Sequence, residues 1–189
     1  MELRFEKLTP ELTDEFFRFF DNDAFSDHKE WAGCYCLESH IKEEVESKYT
    51  REERREKATE LIQNGIMNGY LIYDGDRIVA WCNAGDKTTF APICENGEFA
   101  TDSLVKGKIK MLYCIDIAPD YRGKGIADQI IEQVLADAKE EGYSYVEGYP
   151  LSDGAYPYQY KGPVRLYEKH GFETYRKNSW FYIMRKAID

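Results

Sequence analysis

The sequence predicts an α+β domain in which a central mixed sheet of about six or seven strands, mostly antiparallel, is flanked by helices in three layers. Three observations lead to this prediction. Apolar and polar residues alternate in several short segments, Asp74-Gly75-Asp76 between two apolar runs is a strong β-hairpin signal, and residues 108–149 have the pattern of a strand, a helix and a second strand. Because no linker or internal repeat divides the 189 residues, we expect a single domain spanning 1–189.

The composition disfavours several classes of protein. Hydrophobic residues make up 43% and charged residues 32%, a mixture typical of globular rather than disordered chains. The net charge of −10 argues against a large basic surface, so no nucleic-acid partner is expected. The sequence shows no secretory leader and no apolar run long enough to span a bilayer, so we expect a cytoplasmic protein without a membrane partner.

The cysteines predict reduced, structural thiols and no metal site. Their number is odd and they are scattered, which is typical of cytosolic proteins without disulfides. Cys34, Cys36 and His40 form the pattern C-x-C-x3-H, which matches no common zinc-binding spacing, and no second ligand pair follows. The five cysteines are Cys34, Cys36, Cys82, Cys94 and Cys114.

The first half of the chain is predicted to contain a strand and two helices. Residues 2–8 alternate between polar and apolar and predict an opening strand. Thr9 and Pro10 have the residue types of an N-cap and a first helical position, and aromatic residues follow at spacings of three and four. Thr50 and Glu53 form a capping-box pair that begins the second helix.

The second half is predicted to contain the central strand and the longest helix. Residues 85–107 lack periodicity, so this stretch is either a functional loop or a surface elaboration. An apolar run at 108–117 predicts a strand in the middle of the sheet, and a single apolar stripe predicts a helix that begins at Ile126 and stops at Gly142. Residues 143–149 predict the next strand, which completes a βαβ crossover.

The C-terminal part is predicted to be a tyrosine-rich loop, a short helix and a hairpin. The loop covers 150–162, and the helix covers 163–170 and ends at a glycine. Two final strands are predicted over 172–175 and 179–185.

The loop before the long helix holds Gly123 and Gly125, an arrangement that can bind phosphate. A helix N-terminus presents unpaired N–H groups and about half a positive charge. Asp128 stands where the dinucleotide fingerprint G-x-G-x-x-G needs its third glycine, and no P-loop is present. The loop amides, Arg122 and Lys124 remain as donors for a pyrophosphate. An ordinary tight turn into a helix explains the loop alone equally well.

Two motifs together resemble those of the GNAT superfamily of N-acetyltransferases. The family's acetyl-CoA motif is Gln or Arg, two residues, Gly, one residue, then Gly or Ala, and Arg122, Gly125 and Ala127 meet it. A second family motif, Tyr followed by Glu-Lys, one residue and Gly-Phe, is met by LYEKHGF at 166–172. The order of the predicted elements also resembles the family over most of the chain. The resemblance implies a GNAT-like acyl-CoA acyltransferase fold.

The resemblance also implies a binding mode for acetyl-CoA as cosubstrate. The loop residues whose amides would bind the pyrophosphate are Arg122, Gly123, Lys124, Gly125, Ile126 and Ala127. The strand edge at Ile115 and Ile117 would bind the pantetheine arm like an added strand, and one of these two N–H groups would stabilise the oxyanion. Many family members carry an Asn before the second motif, but YQYKGPVR has none. Tyr160 or a backbone group would take its place.

The implied reaction is acetyl transfer to a primary amine of a small molecule or peptide by direct attack. Because a free amine has a pKa near about 10.4, a base must remove a proton, and Glu147 and Asp116 are the candidates. Tyr167 of the second motif would protonate the leaving thiolate. Each of these three also has a structural interpretation, as a paired or solvent-facing carboxylate or as a packing tyrosine.

The acceptor is expected to bind between residues 21–49 and a wall formed by Tyr156, Tyr158 and Tyr160. A non-catalytic acyl-CoA sensor with the same fold is the alternative function. An oligomer is compatible with the sequence, which does not predict the oligomeric state.

Overall fold

In the part of the chain that the structure describes, seven strands form one sheet in the order β1-β2-β3-β4-β5-β7-β6. The computed structural model describes residues 2–42, 48–94, 97–100, 105–152 and 160–188. The strands are β1 Leu3–Lys7, β2 Gly69–Asp74, β3 Arg77–Asp86, β4 Ile109–Ile117, β5 Tyr145–Gly148, β6 Glu173–Lys177 and β7 Tyr182–Ala187. The β4–β5 pair is parallel, and the other neighbouring pairs are antiparallel. The predicted mixed, mostly antiparallel sheet is confirmed.

Helices cover both faces of this sheet, as the predicted three layers require. They are α1 Thr13–Asn22, α2 Arg51–Gln63, the single turn α3 Ala91–Cys94, α4 Ile126–Glu140 and α5 Val164–Lys169. Residues of α1 and α2 bury an aromatic cluster around Trp81 on one face. Residues of α4 and α5 bury an aliphatic cluster on the opposite face. Among the described residues, no helix is both long and apolar enough to cross a bilayer.

The start of α2 matches the prediction from the sequence, whereas the start of α1 does not. Thr50 accepts a hydrogen bond from the N–H of Glu53 while the Glu53 carboxylate accepts one from the N–H of Thr50, so the predicted capping box is confirmed. The start of α1 differs, because Pro10–Leu12 forms a 3₁₀ turn and Thr9 makes no side-chain capping bond. The α-helical bonds begin only at Thr13.

The C-terminal hairpin is shifted from its predicted bounds. Both β6 and β7 begin later and extend further than the apolar residues alone indicate. Arg176 and Lys177 belong to β6, which pairs with β7 alone among the described strands and is therefore an edge strand. Charged residues are common on edge strands because they discourage pairing with other chains, so an apolar pattern ends this strand too early, at residue 175.

The described part of the 85–107 stretch is anchored to the core. It forms a 3₁₀ turn, Lys87–Phe90, followed by α3. Phe90 and Phe99 are buried in a third apolar cluster, which includes Met111 of β4, Tyr149 after β5 and Ile183 of β7. Residues 95–96 and 101–104 lie outside the described part, so the two interpretations of the stretch stay open.

The parallel strands β4 and β5 pair over a short distance only and then separate. The edge of β4 that this separation leaves unpaired forms part of the candidate site. Their parallel register covers residues 109–112 of β4. Opposite Asn83 and Ala84, the register of β4 jumps from Cys114 to Leu112, so Tyr113 is a bulge residue. Beyond the bulge, no described strand pairs with the β5 side of β4.

Candidate active site

The glycine loop adopts a backbone conformation that favours glycine. Gly123 and Gly125 have φ angles of +74° and +78°. A Cβ at either residue would meet nothing within 4 Å. The positive φ angle, and not a lack of space, therefore explains why glycine occupies both positions. Gly125 is the N-cap of α4, and no side chain among the described residues caps this end. The first-turn N–H groups, which have no partner within a helix, therefore face outward as hydrogen-bond donors.

A pocket of about 520 Å³ adjoins this helix end. One side is formed by Ile117 and the glycine loop, and the other by α5, including Arg165 and Lys169. The prediction from sequence missed these two basic residues, although their spacing of four on a predicted helix places them on one face. Lys169 also pairs with Asp128 at 2.6 Å, and this bond together with one from His170 lowers the pKa of the Asp128 carboxyl.

Arg122, a predicted pyrophosphate donor, is hydrogen-bonded within the protein in this structure. Its guanidinium pairs with Asp27 at 2.6 Å, and its Nε donates to the Ile117 carbonyl at 3.0 Å. Its backbone N–H donates to the carbonyl of Pro119. Because its guanidinium and its backbone N–H are both hydrogen-bonded, Arg122 connects the end of β4 to the segment after α1. Lys124 lies on the exposed loop with its Nζ 4.4 Å from the ring centroid of Tyr121.

The carbonyls of Tyr160 and Lys161 accept hydrogen bonds from two groups that are predicted to act on acetyl-CoA, the Ile115 N–H and the Tyr167 hydroxyl. The Ile115 N–H donates to the Tyr160 carbonyl at 2.5 Å, on the unpaired edge of β4. The Tyr167 hydroxyl donates to the Lys161 carbonyl at 2.7 Å. Ile117 lies two residues along and presents its N–H to the same edge. The structure thus brings Ile115 and Tyr167 to one short segment, residues 160–161.

Tyr167 is fully buried and also packs the core. Its ring contacts Phe172 edge-on, with centroids 5.3 Å apart. A Cβ at residue 148 would lie 1.9 Å from Cε1 of Tyr167, so Gly148 on β5 makes room for the ring. Burial raises the pKa of the hydroxyl, which keeps it protonated. The structural and the catalytic interpretation of Tyr167 are therefore compatible.

Asp116 lies on the β4 face opposite α4, directly across from Trp81 of β3. It is 2% exposed. Burial raises the pKa of its carboxyl to about 7, against the opposing effect of hydrogen bonds from nearby thiols. The Cys114 thiol donates to its Oδ2 at 3.5 Å. A carboxylate with this pKa can accept a proton near neutral pH.

Glu147, the other predicted base, is held in an ion-pair network instead. It is 0% exposed. Lys87 Nζ lies 2.6 Å from its Oε2, and Arg185 Nη2 lies 2.5 Å from its Oε1. Burial alone would raise the pKa of this carboxyl, but Lys87, Tyr149 and Arg185 outweigh it and lower the pKa. A carboxylate bound to two cations accepts a proton poorly, so the structure argues against Glu147 as the base.

Only part of the predicted acceptor wall can be placed. Tyr160 contacts Phe25 and Trp31 edge-on, with centroids 5.4 and 5.8 Å apart. Tyr156 and Tyr158 lie outside the described residues. The hydroxyl of Tyr160 is buried and has no hydrogen-bond partner in the described part of the chain.

A mixed sheet whose parallel pair diverges beside a glycine loop and a helix N-terminus defines the acyl-CoA acyltransferase class of fold. The sequence matches the family described as "Acetyltransferase (GNAT) domain" over residues 68–174, more than half of the chain. The protein therefore belongs to the GNAT acetyltransferase family, and the general reaction supported by this match is acetyl transfer.

Solved structures with the same fold include an acetyltransferase of the GNAT family from Streptococcus pneumoniae, with 16% identity, 100% of each chain covered and a TM-score of 0.58. The PaiA N-acetyltransferase from Thermoplasma acidophilum, in complex with coenzyme A, has 13% identity, 99% coverage of each chain and a TM-score of 0.58. YncA from Salmonella typhimurium, solved with its cofactor acetyl-CoA, has 10% identity, coverage of 99% of this chain and 94% of that chain, and a TM-score of 0.54. No curated protein matches the sequence significantly.

Proposed function

We propose that this protein is an N-acetyltransferase that moves the acetyl group of acetyl-CoA to a primary amine of a small molecule or peptide. The observation that carries the proposal is the uncapped N-terminus of α4, which opens beside a pocket that reaches Ile117 on the unpaired edge of β4. Two relatives of this fold are described with coenzyme A or acetyl-CoA bound. Phosphate groups are favoured at such a helix end.

The donor acetyl-CoA is proposed to bind in two parts. Its pyrophosphate accepts hydrogen bonds from amides within 123–127, near the positive end of α4. Its pantetheine arm follows the edge of β4 as an added strand and exchanges the present hydrogen bonds of Ile115 and Tyr167 for its own. Binding therefore requires the Tyr160 and Lys161 carbonyls to move away from those two donors.

The candidate acid, base and oxyanion-binding groups at this site can carry out direct transfer of the acetyl group to the amine. Asp116 takes a proton from the amine, directly or through one water, since it is the buried carboxylate on the strand that holds the thioester. The neutral amine attacks the thioester carbonyl, and the N–H of Ile115 or Ile117 stabilises the oxyanion. When the C–S bond breaks, the Tyr167 hydroxyl, which burial keeps protonated until then, gives its proton to the thiolate, and the proton that the new amide nitrogen loses restores the phenol through solvent.

A screen of amines for release of free thiol from acetyl-CoA tests this function. We expect release with at least one class of amine, and a Tyr167→Phe protein should turn over about 100-fold or more slowly because the leaving thiolate loses its acid. Undiminished turnover by Tyr167→Phe would remove the acid role. Thermal stabilisation by CoA without thiol release across the library would favour the acyl-CoA sensor instead.

Substitution of Gly125 by alanine is expected to weaken CoA binding about tenfold or more. The new Cβ adds strain at φ +78° and enters the space where the pyrophosphate approaches the loop. Gly142→Ala is the matched control, because Gly142 follows the other end of the same helix, has φ +71° and is equally open. Calorimetric titration with CoA should show weakening in Gly125→Ala only. Equal weakening in both variants would point to general strain.

A further inference from the structure

Two cysteines far apart in the sequence meet at Asp116. The Sγ of Cys36 lies 3.8 Å from Oδ2 of Asp116, and the Sγ of Cys114 lies 3.5 Å from the same oxygen. All three potential ligand atoms lie within 4.8 Å of one another. Cys36 comes from the segment after α1, whereas the other two alternate along β4. The proposed acetyl transfer uses neither thiol.

These separations fit a tetrahedral zinc ion. With Zn–S of about 2.3 Å and Zn–O of about 2.0 Å, tetrahedral angles place S and O ligands about 3.5 Å apart. The two observed S–O separations are 3.5 and 3.8 Å. Thiolate ligands favour soft ions such as zinc over magnesium or calcium.

The surroundings of the cluster suit bound thiolates. The Nε1–H of Trp81 donates to the Sγ of Cys36 at 3.3 Å, an outer hydrogen bond of the kind that orients and stabilises a metal ligand. Two thiolates, one carboxylate and a divalent ion leave one net negative charge. The Lys161 ammonium, whose electrostatic partners include Cys114, Cys36 and Asp116, offsets that charge.

The backbone holds Cys36 in place at a conformational cost. Tyr35 and Cys36 have φ angles of +46° and +50°, the left-handed region that residues with side chains avoid. Strain of this kind concentrates at functional sites, where the surrounding structure maintains it. His40, which the sequence pattern pairs with the cysteines, turns away and bonds the Thr89 carbonyl at 3.0 Å.

We propose that Cys36, Cys114 and Asp116 bind one Zn²⁺ ion, with the fourth position open to solvent or to a further ligand. Cys36 and Asp116 are buried and Cys114 is half-buried, so an ion would enter from the Cys114 side. Binding releases the two thiol protons to solvent as the two S–Zn bonds form. If Asp116 is also the base, as the proposed function holds, zinc blocks acetyl transfer. That consequence rests on the proposed function, but the metal site itself does not.

Cobalt titration of the full chain tests the site without acetyl-CoA. The protein is stripped with a chelator, kept reduced and titrated with Co²⁺, which gives thiolate-to-metal charge-transfer absorption, and Zn²⁺ is then added as competitor. We expect one Co²⁺ per chain, displaced by Zn²⁺. Cys114→Ser should bind at least about 100-fold more weakly, since even the loss of an outer hydrogen bond costs 10- to 100-fold. Cys94→Ser, a half-buried cysteine outside the cluster, should match the wild type.

Two results would overturn the metal site: no charge-transfer absorption at saturating Co²⁺, or wild-type affinity in Cys114→Ser. Asp116→Asn provides a second variant if Cys114→Ser fails to fold, as judged by circular dichroism. Metal-free protein that releases thiol from acetyl-CoA but binds no Co²⁺ would support the transferase and refute the metal site. Protein that binds Co²⁺ but never releases thiol would support the metal site alone.

Discussion

Substitution of Asp116 by asparagine is expected to lower kcat about 100- to 10,000-fold, the usual contribution of general base catalysis. The asparagine side chain matches aspartate in size but cannot accept the proton of the amine. Because Asp116 points to the face opposite α4, acetyl-CoA affinity should stay near that of the wild type. A lower kcat with unchanged CoA affinity would show that Asp116 acts as the base and takes no part in binding acetyl-CoA.

Turnover is measured on metal-free protein over a range of pH, and CoA affinity by titration. Burial raises the pKa of Asp116 to about 7, so wild-type activity should fall as pH drops below about 7 and the carboxylate is protonated. This acid limb should vanish in Asp116→Asn. Asp23→Asn is a control, because Asp23 pairs with Arg77 at the surface. Wild-type turnover by Asp116→Asn would exclude Asp116 as the base.

Substitution of Glu147 by alanine should destabilise the fold by about 3–5 kcal/mol, because it leaves buried Lys87 and Arg185 without their counter-ion. For a chain of this size, such a loss lowers Tm by about 6–20 °C. The milder variant Glu147→Gln should also lose stability while its kcat stays near wild type. Urea unfolding and turnover at low temperature provide the two measurements.

A double variant distinguishes charge from packing in this network. Glu147→Gln combined with Lys87→Met removes a buried cation together with its partner, so part of the lost free energy of unfolding should return. The opposite pattern, in which Glu147→Gln keeps full stability and loses turnover, would restore Glu147 as the candidate base.

The sequence alone was sufficient wherever the signal is local. The capping box at Thr50, the hairpin at Asp74-Gly75-Asp76 and the glycine loop each depend on residues within one turn or loop, and the structure contains all three. The family could also be predicted, because its two motifs are contiguous stretches. Strand bounds near Arg176 were missed, because edge position depends on which strands pair.

Local spacing thus determined the fold class, the glycine loop and the family, because short-range backbone geometry is encoded in neighbouring residues. Only the tertiary structure distinguishes the surroundings of the two candidate carboxylates, since Lys87 and Arg185 reach Glu147 from 60 and 38 residues away. It also brought Cys36 to Asp116 across 80 residues of sequence. Ionisation and metal binding depend on burial and on such distant partners, which the pairing of β5 with β7 and the packing of the segment after α1 on the sheet bring together.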